Sequence, residues 1–575
     1  MQIRQLRVQS FRGIAALDWT PSNPFCCLIG AGDSGKSSVL DAIEAALSSR
    51  WYSFSEPDFF GCDTSKSIVI EVTVGELSKP LKSDERFGLY IRGWTAAGAL
   101  RDEPEDDDEP VLTVRLTVDA TMEPVWEIIC DRTTDTRTLS NRDRALFGLV
   151  RLAGEDARHL TWGQGSVLSR LTGDAKEAAA KLSEAYKIAR ASAKLDEIKA
   201  LTDAATQAEG FAKGLGAYVQ GAYGPGLELG RSGMSSGSIA LHDGTVPLRL
   251  AGLGTRRLAT LAIQKSAVTE GAIVLVDEIE HGLEPHRIIG AICQLTADQA
   301  LAKSAGKPVG HVLLTTHSDV ALGEVHAEGL RVVQTNAANR QMVINRPTTP
   351  DPLRALLRFT PRALFARRIL VCEGNTELGL LLGLRENWPP RHDGKPIEQL
   401  GAAIADGNGG QACAIAAALS DLGYQVALYR DSDVPLTPDE ILLLTTSKVK
   451  VIEYGWTLNT EQAVFLDAPD PYVQELLGHL RAEYGDDAVD DNLNNAIPDL
   501  TLADIRAPFA SWELITALDG RQLRNVIAGV VHKKKWFKSQ HAGRQLAPFV
   551  WKIAGASHHA PLTLCILNVE GWLYG

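Results

Sequence analysis

The chain has 575 residues, of which 45% are hydrophobic and 22% charged, the balance of a water-soluble globular protein long enough for several domains. A net charge of -13 argues against whole-surface attraction to nucleic acid and leaves room for local basic grooves. No apolar run approaches the roughly 20 residues of a membrane span, the start has no signal-peptide pattern, and the 8 cysteines are scattered without zinc or disulfide spacing, so a reduced, cytoplasmic protein without membrane contact is expected.

Residues 2–9 and 13–19 alternate like two short strands. The apolar run 25–29 then reads as a buried strand. It enters Gly30-Ala31-Gly32-Asp33-Ser34-Gly35-Lys36-Ser37-Ser38, and helical spacing follows over 39–47. Gly-x-x-x-x-Gly-Lys-Ser between a strand and a helix is a P-loop. Its glycines let backbone N–H groups approach phosphate oxygens, and the helix start adds partial positive charge. Lys36 is expected on the β- and γ-phosphates and Ser37 on Mg2+, with Gly30, Gly32, Asp33, Gly35 and Ser38 shaping the cradle. ATP is the expected cofactor.

Residues 101–110 are strongly acidic and read as a solvated loop. An insertion at about 165–220 is expected to be helical. Leu182, Tyr186, Ala189, Ala193, Leu195, Ile198 and Leu201 recur at helical spacing. Either a dimerisation arm or a plain packed layer satisfies that stripe. Gln164, just before it, is a candidate for the nucleotide-sensing glutamine of such ATPases. Further on, residues 271–276 form an apolar strand ending in Asp277 and Glu278. Asp277 fits the carboxylate that holds Mg2+, and Glu278 the base or water-orienting group. A third strand at 311–316 ends at His317, placed to sense the γ-phosphate. These three motifs resemble the ABC-type ATPases of the SMC and DNA-repair group. The resemblance implies a Gly-rich signature segment contacting ATP from a second copy. Residues 250–258, with Gly252, Gly254, Arg256 and Arg257, are the candidate, although Ala251 stands where that family has serine.

A Pro-rich stretch at 346–362 marks a boundary, so an ATPase domain at 1–345 and a linker at 346–368 are expected. Beyond it, apolar strands at 369–372, 402–405, 425–429 and 449–453 alternate with helical patterns, the signature of a mainly parallel sheet. Glu373 follows the first strand and Glu377 lies four residues on. Asp431 and Asp433 follow the third strand. Carboxylates gathered at strand tips without His or Cys imply a hard divalent cation, Mg2+ or Mn2+. Residues 532–538, His-Lys-Lys-Lys-Trp-Phe-Lys, are the most concentrated basic run and suit a phosphate backbone. Residues 486–500 read as loop, and 562–572 as a closing strand or helix.

Glu373-x-x-x-Glu377 with Asp431-x-Asp433 resembles a Toprim domain, here spanning 369–575. An ABC-type ATPase followed by Toprim resembles the OLD (overcoming lysogenization defect) family of ATP-dependent endonucleases, which includes the large subunit of Gabija phage-defence systems. The resemblance implies Glu373, Glu377, Asp431 and Asp433 as metal ligands. It implies a further acid, Glu461 first and Glu453 second, and a catalytic lysine, Lys538 first and Lys535 second. The expected architecture is therefore α/β: an ABC-type ATPase domain with a helical insertion, then a Toprim domain. The expected function is an ATP-binding, metal-dependent DNA endonuclease, assembled as a dimer or tetramer and open to a helicase-like partner. A non-catalytic ATP-dependent DNA clamp or sensor is the alternative. A strand passer needs a nucleophilic Tyr in a separate domain, which the sequence does not display.

Overall fold

The protein is described here by a computed structural model. It describes residues 1–152 except Trp51 and Thr134, parts of 181–214, isolated positions between 222 and 260, and 271–575 except Ala337. Gln164 and most of the 165–220 insertion lie outside the described residues. Within that insertion Lys199–Gly214 is an α-helix, and Ile198 and Leu201 before and within it are exposed. The chain divides into two compact units: Met1–Arg7, Thr20–Pro24 and Leu40–Leu314 form the first, and Val8–Trp19, Phe25–Val39 and Thr315–Gly575 the second.

The first unit holds an antiparallel sheet in which Glu109–Val118 pairs with Ile68–Gly75 on one side and Pro124–Ile129 on the other. The inward positions Val114, Leu116, Ile70 and Val72 are fully buried, as period-two alternation demands. The acidic stretch at 101–110 is not simply solvated. Asp102 pairs with Arg92 at 3.1 Å, Asp108 with Arg101 at 3.1 Å, and Glu109 with Arg4 at 2.8 Å. The same unit carries a parallel ladder in which Ile273–Val276 lies between Val150–Leu152 and His311–Thr315. All four residues of Ile273–Val276 are buried, which fits a strand covered on both faces.

In the second unit Phe25–Ile29 runs parallel to Leu330–Thr335, which pairs antiparallel with Met342–Asn345. The Pro-rich stretch is not extended throughout. Asp351–Phe359 is helical, with Pro352 in its first turn, where a missing N–H does no harm, and Leu353, Leu356 and Leu357 buried. A four-stranded parallel sheet follows, in the order Ala402–Asp406, Arg368–Cys372, Gln425–Arg430, Lys450–Glu453. The first of these strands in sequence, Arg368–Cys372, is an inner one. Its successor lies on one flank and the remaining two on the other. The order therefore reverses between Arg368–Cys372 and Gln425–Arg430, and at such a reversal open α/β sheets leave a crevice beyond the C-terminal strand ends.

Beyond the sheet the chain is helical. Asp486–Ala496 is a helix, not the loop its Asp- and Asn-rich composition predicts. Val489 and Leu493 are buried there, and buried Asp490 pairs with Arg481 at 2.8 Å and Arg506 at 2.6 Å. Tertiary pairing thus overrides weak local propensity. Residues 562–572 belong to the helix Pro561–Tyr574. Helices Asn375–Leu384 and Gln540–Ala556 cross backbone to backbone: a Cβ on Gly379 would overlap the Gln540 carbonyl, and one on Gly543 the Thr376 carbonyl. That approach fixes the segment just before Gln540 against the sheet. Thr376 Oγ1 also donates to the Phe537 carbonyl at 2.8 Å.

Candidate active site

The P-loop is folded as its glycines require. Gly30 has φ +148° and Gly35 +89°, values that side chains disfavour, and a Cβ on Gly30 would overlap the Val333 carbonyl. Asp33 is also left-handed, at φ +58°. Gly32, Asp33 and Ser37 are exposed on the loop, and Ser38 is half-buried. The helix Lys36–Leu47 starts at the lysine and has no acid in its first turn. Lys36 is buried and folds back over the loop, donating to Gly30 O and Ala31 O at 3.1 Å and to Ser34 Oγ at 3.3 Å. These oxygens hold the ammonium against the loop. In the same unit His317 is exposed and stacks against Phe365, with ring centroids 6.1 Å apart, while Ser318 caps the helix Asp319–Glu324.

In the first unit Asp277 closes the buried strand, with its carboxylate 2.9 Å from Arg151 Nη2. Arg151 is buried and also pairs with Asp41 and, at 3.1 Å, with Glu44. Burial opposes its charge, but the three carboxylates outweigh burial and hold the guanidinium firmly ionised. Nothing in the sequence signalled this arginine. Glu278 has a left-handed backbone, φ +47°, and its carboxylate lies 3.9 Å from His281. Arg257, from the candidate signature segment, donates to the Asp277 and Glu278 carbonyls at 2.7 and 3.0 Å. Gly254 of that segment lies against Arg287 and the Gly282 carbonyl. The segment therefore packs within its own chain on the turn that follows the two acids.

The crevice at the reversal of the parallel sheet collects the other expected residues. Glu373 leaves the tip of Arg368–Cys372, and its N–H donates to Tyr429 O at 2.8 Å on the neighbouring strand. Asp431 leaves the tip of Gln425–Arg430, and its N–H donates to Glu373 Oε2 at 3.1 Å. Glu377, buried in the first turn of Asn375–Leu384, and Asp431 both lie 2.8 Å from Thr460 Oγ1. A hydroxyl has one proton to donate. It can donate to only one of the two carboxylates at a time, so the pair sits close together in a buried site with a single shared proton donor between them. Burial, with Glu377 next in weight, accordingly pushes Asp431 up to about 8. Burial also raises Glu373, against the pull of Arg430.

Glu461 is wholly buried in the first turn of Thr460–Asp467, and its Oε1 finds no hydrogen-bond donor. Lys538 Nζ stands 3.6 Å from that oxygen. Burial works against the lysine's charge, but Glu461, Asp431, Glu377 and Asp433 outweigh it and raise its pKa. Lys538, not Lys535, is thus the lysine brought to the acids. Lys535 is exposed and left-handed at the end of the helix Gly520–Lys534. Likewise Glu461, not Glu453, joins the cluster, because Glu453 is held by Arg430 at 2.8 Å. Asp433 lies at the exposed mouth and accepts from Val434 N. Among the described residues no three His, Cys, Asp or Glu side chains are already closed around one ion position.

Three members of this site carried no usable sequence signal. Thr460 bridges two acids. Arg430 lies 3.6 Å from Glu373 and donates to Val434 O, pinning the loop that presents Asp431 and Asp433. His532 Nδ1 lies 3.2 Å from Glu461 Oε2. The basic run drew attention to its lysines, and only the fold shows that its histidine is closer to an acid.

Comparison with known proteins gives partial matches. Residues 224–323 match a family model described as an AAA domain, linked in that description to the AbiEii toxin of a Type IV TA system. Residues 1–94 match a second model, "Protein of unknown function (DUF2813)". No curated protein matches. Among solved structures, an Smc head bound to the C-winged helix domain of ScpA is 17% identical, with TM-score 0.33, covering 60% of this chain and 97% of that one. An Smc head with an extended coiled coil, bound to the C-terminal domain of ScpA and derived from Pyrococcus furiosus, gives 13% and 0.30, covering 60% of this chain and 95% of that one. The SMC head domain from Thermotoga maritima gives 13% and 0.29, covering 60% and 99%. No helix of the described residues is long and apolar enough to cross a membrane. The AAA-domain match over 224–323, beside a P-loop folded around Lys36, marks an ATP-binding ATPase-type domain within an α/β chain.

Proposed function

We propose that this protein is an ATP-binding, divalent-metal-dependent DNA endonuclease of the OLD type, in which a Toprim-like crevice cuts phosphodiesters under the control of the ABC-like ATPase domain. The observation that carries the reading is the gathering of Glu377, Asp431 and Glu461, all buried, around Thr460 and Lys538, with Glu373 and Asp433 beside them. The donor set fits a hard cation: every acid offers oxygen, Glu461 Oε1 is buried without a donor, and one Thr460 proton is shared between two carboxylates. Glu377, Asp431 and Glu461 would hold Mg2+ or Mn2+, with Glu373 and Asp433 at its edge. Such an ion, when bound, supplies Lewis-acid charge and an activated water.

The chain's own groups then do the following. Lys538 keeps a full positive charge where negative charge develops on the scissile phosphate. Arg430 fixes Glu373 and the Asp431 loop so that the acids do not drift apart. Lys533, Lys534 and Lys535, exposed at the end of their helix, meet neighbouring phosphates of the DNA. In the second unit Lys36 and the P-loop would bind ATP and His317 would sense a γ-phosphate; in the first, Asp277 would hold Mg2+ and Glu278 would orient water. Paired copies, as a dimer or tetramer, couple the ATP state to the crevice. Anti-phage defence or DNA processing, with or without a helicase-like partner, is the setting such an enzyme suits.

A plasmid-cleavage assay tests this, crossing Mg2+, Mn2+ and ATP with Lys36→Ala and Asp431→Ala. The wild type should cut only with a divalent cation, and Asp431→Ala should not cut. Lys36→Ala should lose the response of cutting to ATP. Undiminished cutting by Asp431→Ala would overturn the site. No cutting by the wild type in any condition, with DNA binding that still follows ATP, would favour the clamp or sensor.

A further inference from the structure

A second cavity opens at the neighbouring strand tip, and none of the groups assigned so far fills it. It has a volume of about 310 Å3 and is lined by Phe359, Arg362, Asn375, Leu382, Ile404 and Gln540, among others. Asp406 and Asn408, from the end of the strand Ala402–Asp406, close one side. Asn375 begins the helix that carries Glu377, so the cavity is two residues along the chain from Glu373.

Its lining has two characters. Leu378, Leu382 and Ile404 form an apolar wall, and Phe359 stands exposed at the rim. Opposite in character are Arg362, Asn375 and Gln540, exposed polar side chains that line the cavity. Asp406 adds a carboxylate. Asn408 is already engaged, by Gln411 through its Nδ2 and by the Asp406 carboxylate through its N–H. Amides that both donate and accept, a guanidinium, and an apolar wall with an aromatic rim match a flat heterocycle with polar edges. A purely apolar ligand would leave the amides unmatched, and a bare anion would face Asp406 and gain nothing from the wall.

We propose that this cavity takes a nucleobase, stacked on Phe359 and read at its edge by Asn375 and Gln540, with Arg362 on the adjoining phosphate. The proposal rests on the nuclease reading for its choice of DNA as the source of the base. The pocket then holds one unstacked nucleotide beside the carboxylate crevice, and favours single-stranded or locally opened DNA over intact duplex.

The test uses the full chain in EDTA, so that no cleavage occurs. A single-stranded oligonucleotide carrying one 2-aminopurine is titrated and its fluorescence and anisotropy are read. In a second arm free dAMP is the probe. Variants are Phe359→Ala, at the exposed rim, and Leu382→Trp, which fills the cavity. If Leu382→Trp misfolds by circular dichroism, Gln540→Ala replaces it. Loss of one stacked base should weaken oligonucleotide binding about tenfold or more in Phe359→Ala, and the 2-aminopurine response should vanish in the filled variant. Oligonucleotide and dAMP binding equal to wild type in both variants would overturn the proposal. Variant-sensitive dAMP binding with unchanged oligonucleotide binding would keep the nucleobase site and assign it to a free nucleotide. A Phe359-dependent signal in a protein that never cuts DNA would sink the nuclease reading and leave the pocket standing.

Discussion

Replacing Asp431 by Asn should stabilise the metal-free protein and remove its response to metal. In the fold Asp431 is buried, lies 2.8 Å from a hydroxyl shared with Glu377, and is pushed up to about 8 from an ordinary 3.8. At about 1.4 kcal/mol per pH unit, ionising it in place costs on the order of 5 kcal/mol, a strain shared with the acids coupled to it. Because the folded pKa is the raised one, its stabilising contribution is complete below about pH 4 and disappears as pH climbs towards 8. Asn mimics the protonated acid, with an NH2 in place of the O–H, and carries no charge to strain the site. Relief of even 2 kcal/mol would raise the transition by about 4–8 °C, at about 2–4 °C per kcal/mol for a unit of this size. Scanning fluorimetry in EDTA at pH 5, 6.5 and 8 would read this as a gap between variant and wild type that widens with pH. With saturating Mn2+ the wild type should gain about 3 kcal/mol at 100-fold excess over its Kd, and Asp431→Asn little. A variant that melts below the wild type at pH 8, or still responds fully to Mn2+, would refute the reasoning.

Arg151→Met removes the buried cation that Asp41, Glu44 and Asp277 share, which should cost about 3–5 kcal/mol, measured by urea unfolding. Lys36→Ala removes the charged donor of the loop, and a loss of about 1.5–3 kcal/mol should weaken ATP binding by about 10- to 150-fold in calorimetry. Gly543→Val overpacks the crossing with Asn375–Leu384; it should cost about 1–3 kcal/mol or more and reduce DNA cleavage by moving Lys538 off Glu461. Lys538 has a raised folded pKa, so its contribution is complete below about pH 10.5 and is lost as pH rises from there through the elevated value. Lys538→Met should flatten that alkaline fall in a pH-unfolding series.

The parallel sheet and its acids were legible because both signals are local. A buried strand such as 369–372 declares itself by four apolar residues, and the acid at its tip is the next letter. The P-loop is legible for the same reason: a short motif sets its own backbone. What escaped were partnerships across long separations. Arg151 joins Asp277 from 126 residues away, and Thr460 joins Glu377 from 83, with no pattern near either to announce it. The helix Asp486–Ala496 escaped because its buried Asp490 is held by Arg481 and Arg506, partners that lie outside the helix itself. The choice between Lys535 and Lys538 also required the fold, since the chain turns left-handed at Lys535 and swings the later lysine inward.

The crossing at Gly379 and Gly543 also sets an order of events during synthesis. The sheet and the acids at its tips are complete in sequence by Glu461, yet Lys538 and the helix that clamps it are translated about 80 to 95 residues later, about 4–19 s at typical elongation rates. Until the Gln540–Ala556 helix has emerged and laid its backbone on Asn375–Leu384, a nascent chain carries carboxylates without their lysine. The crevice has its full set of charges only once this late helix has docked.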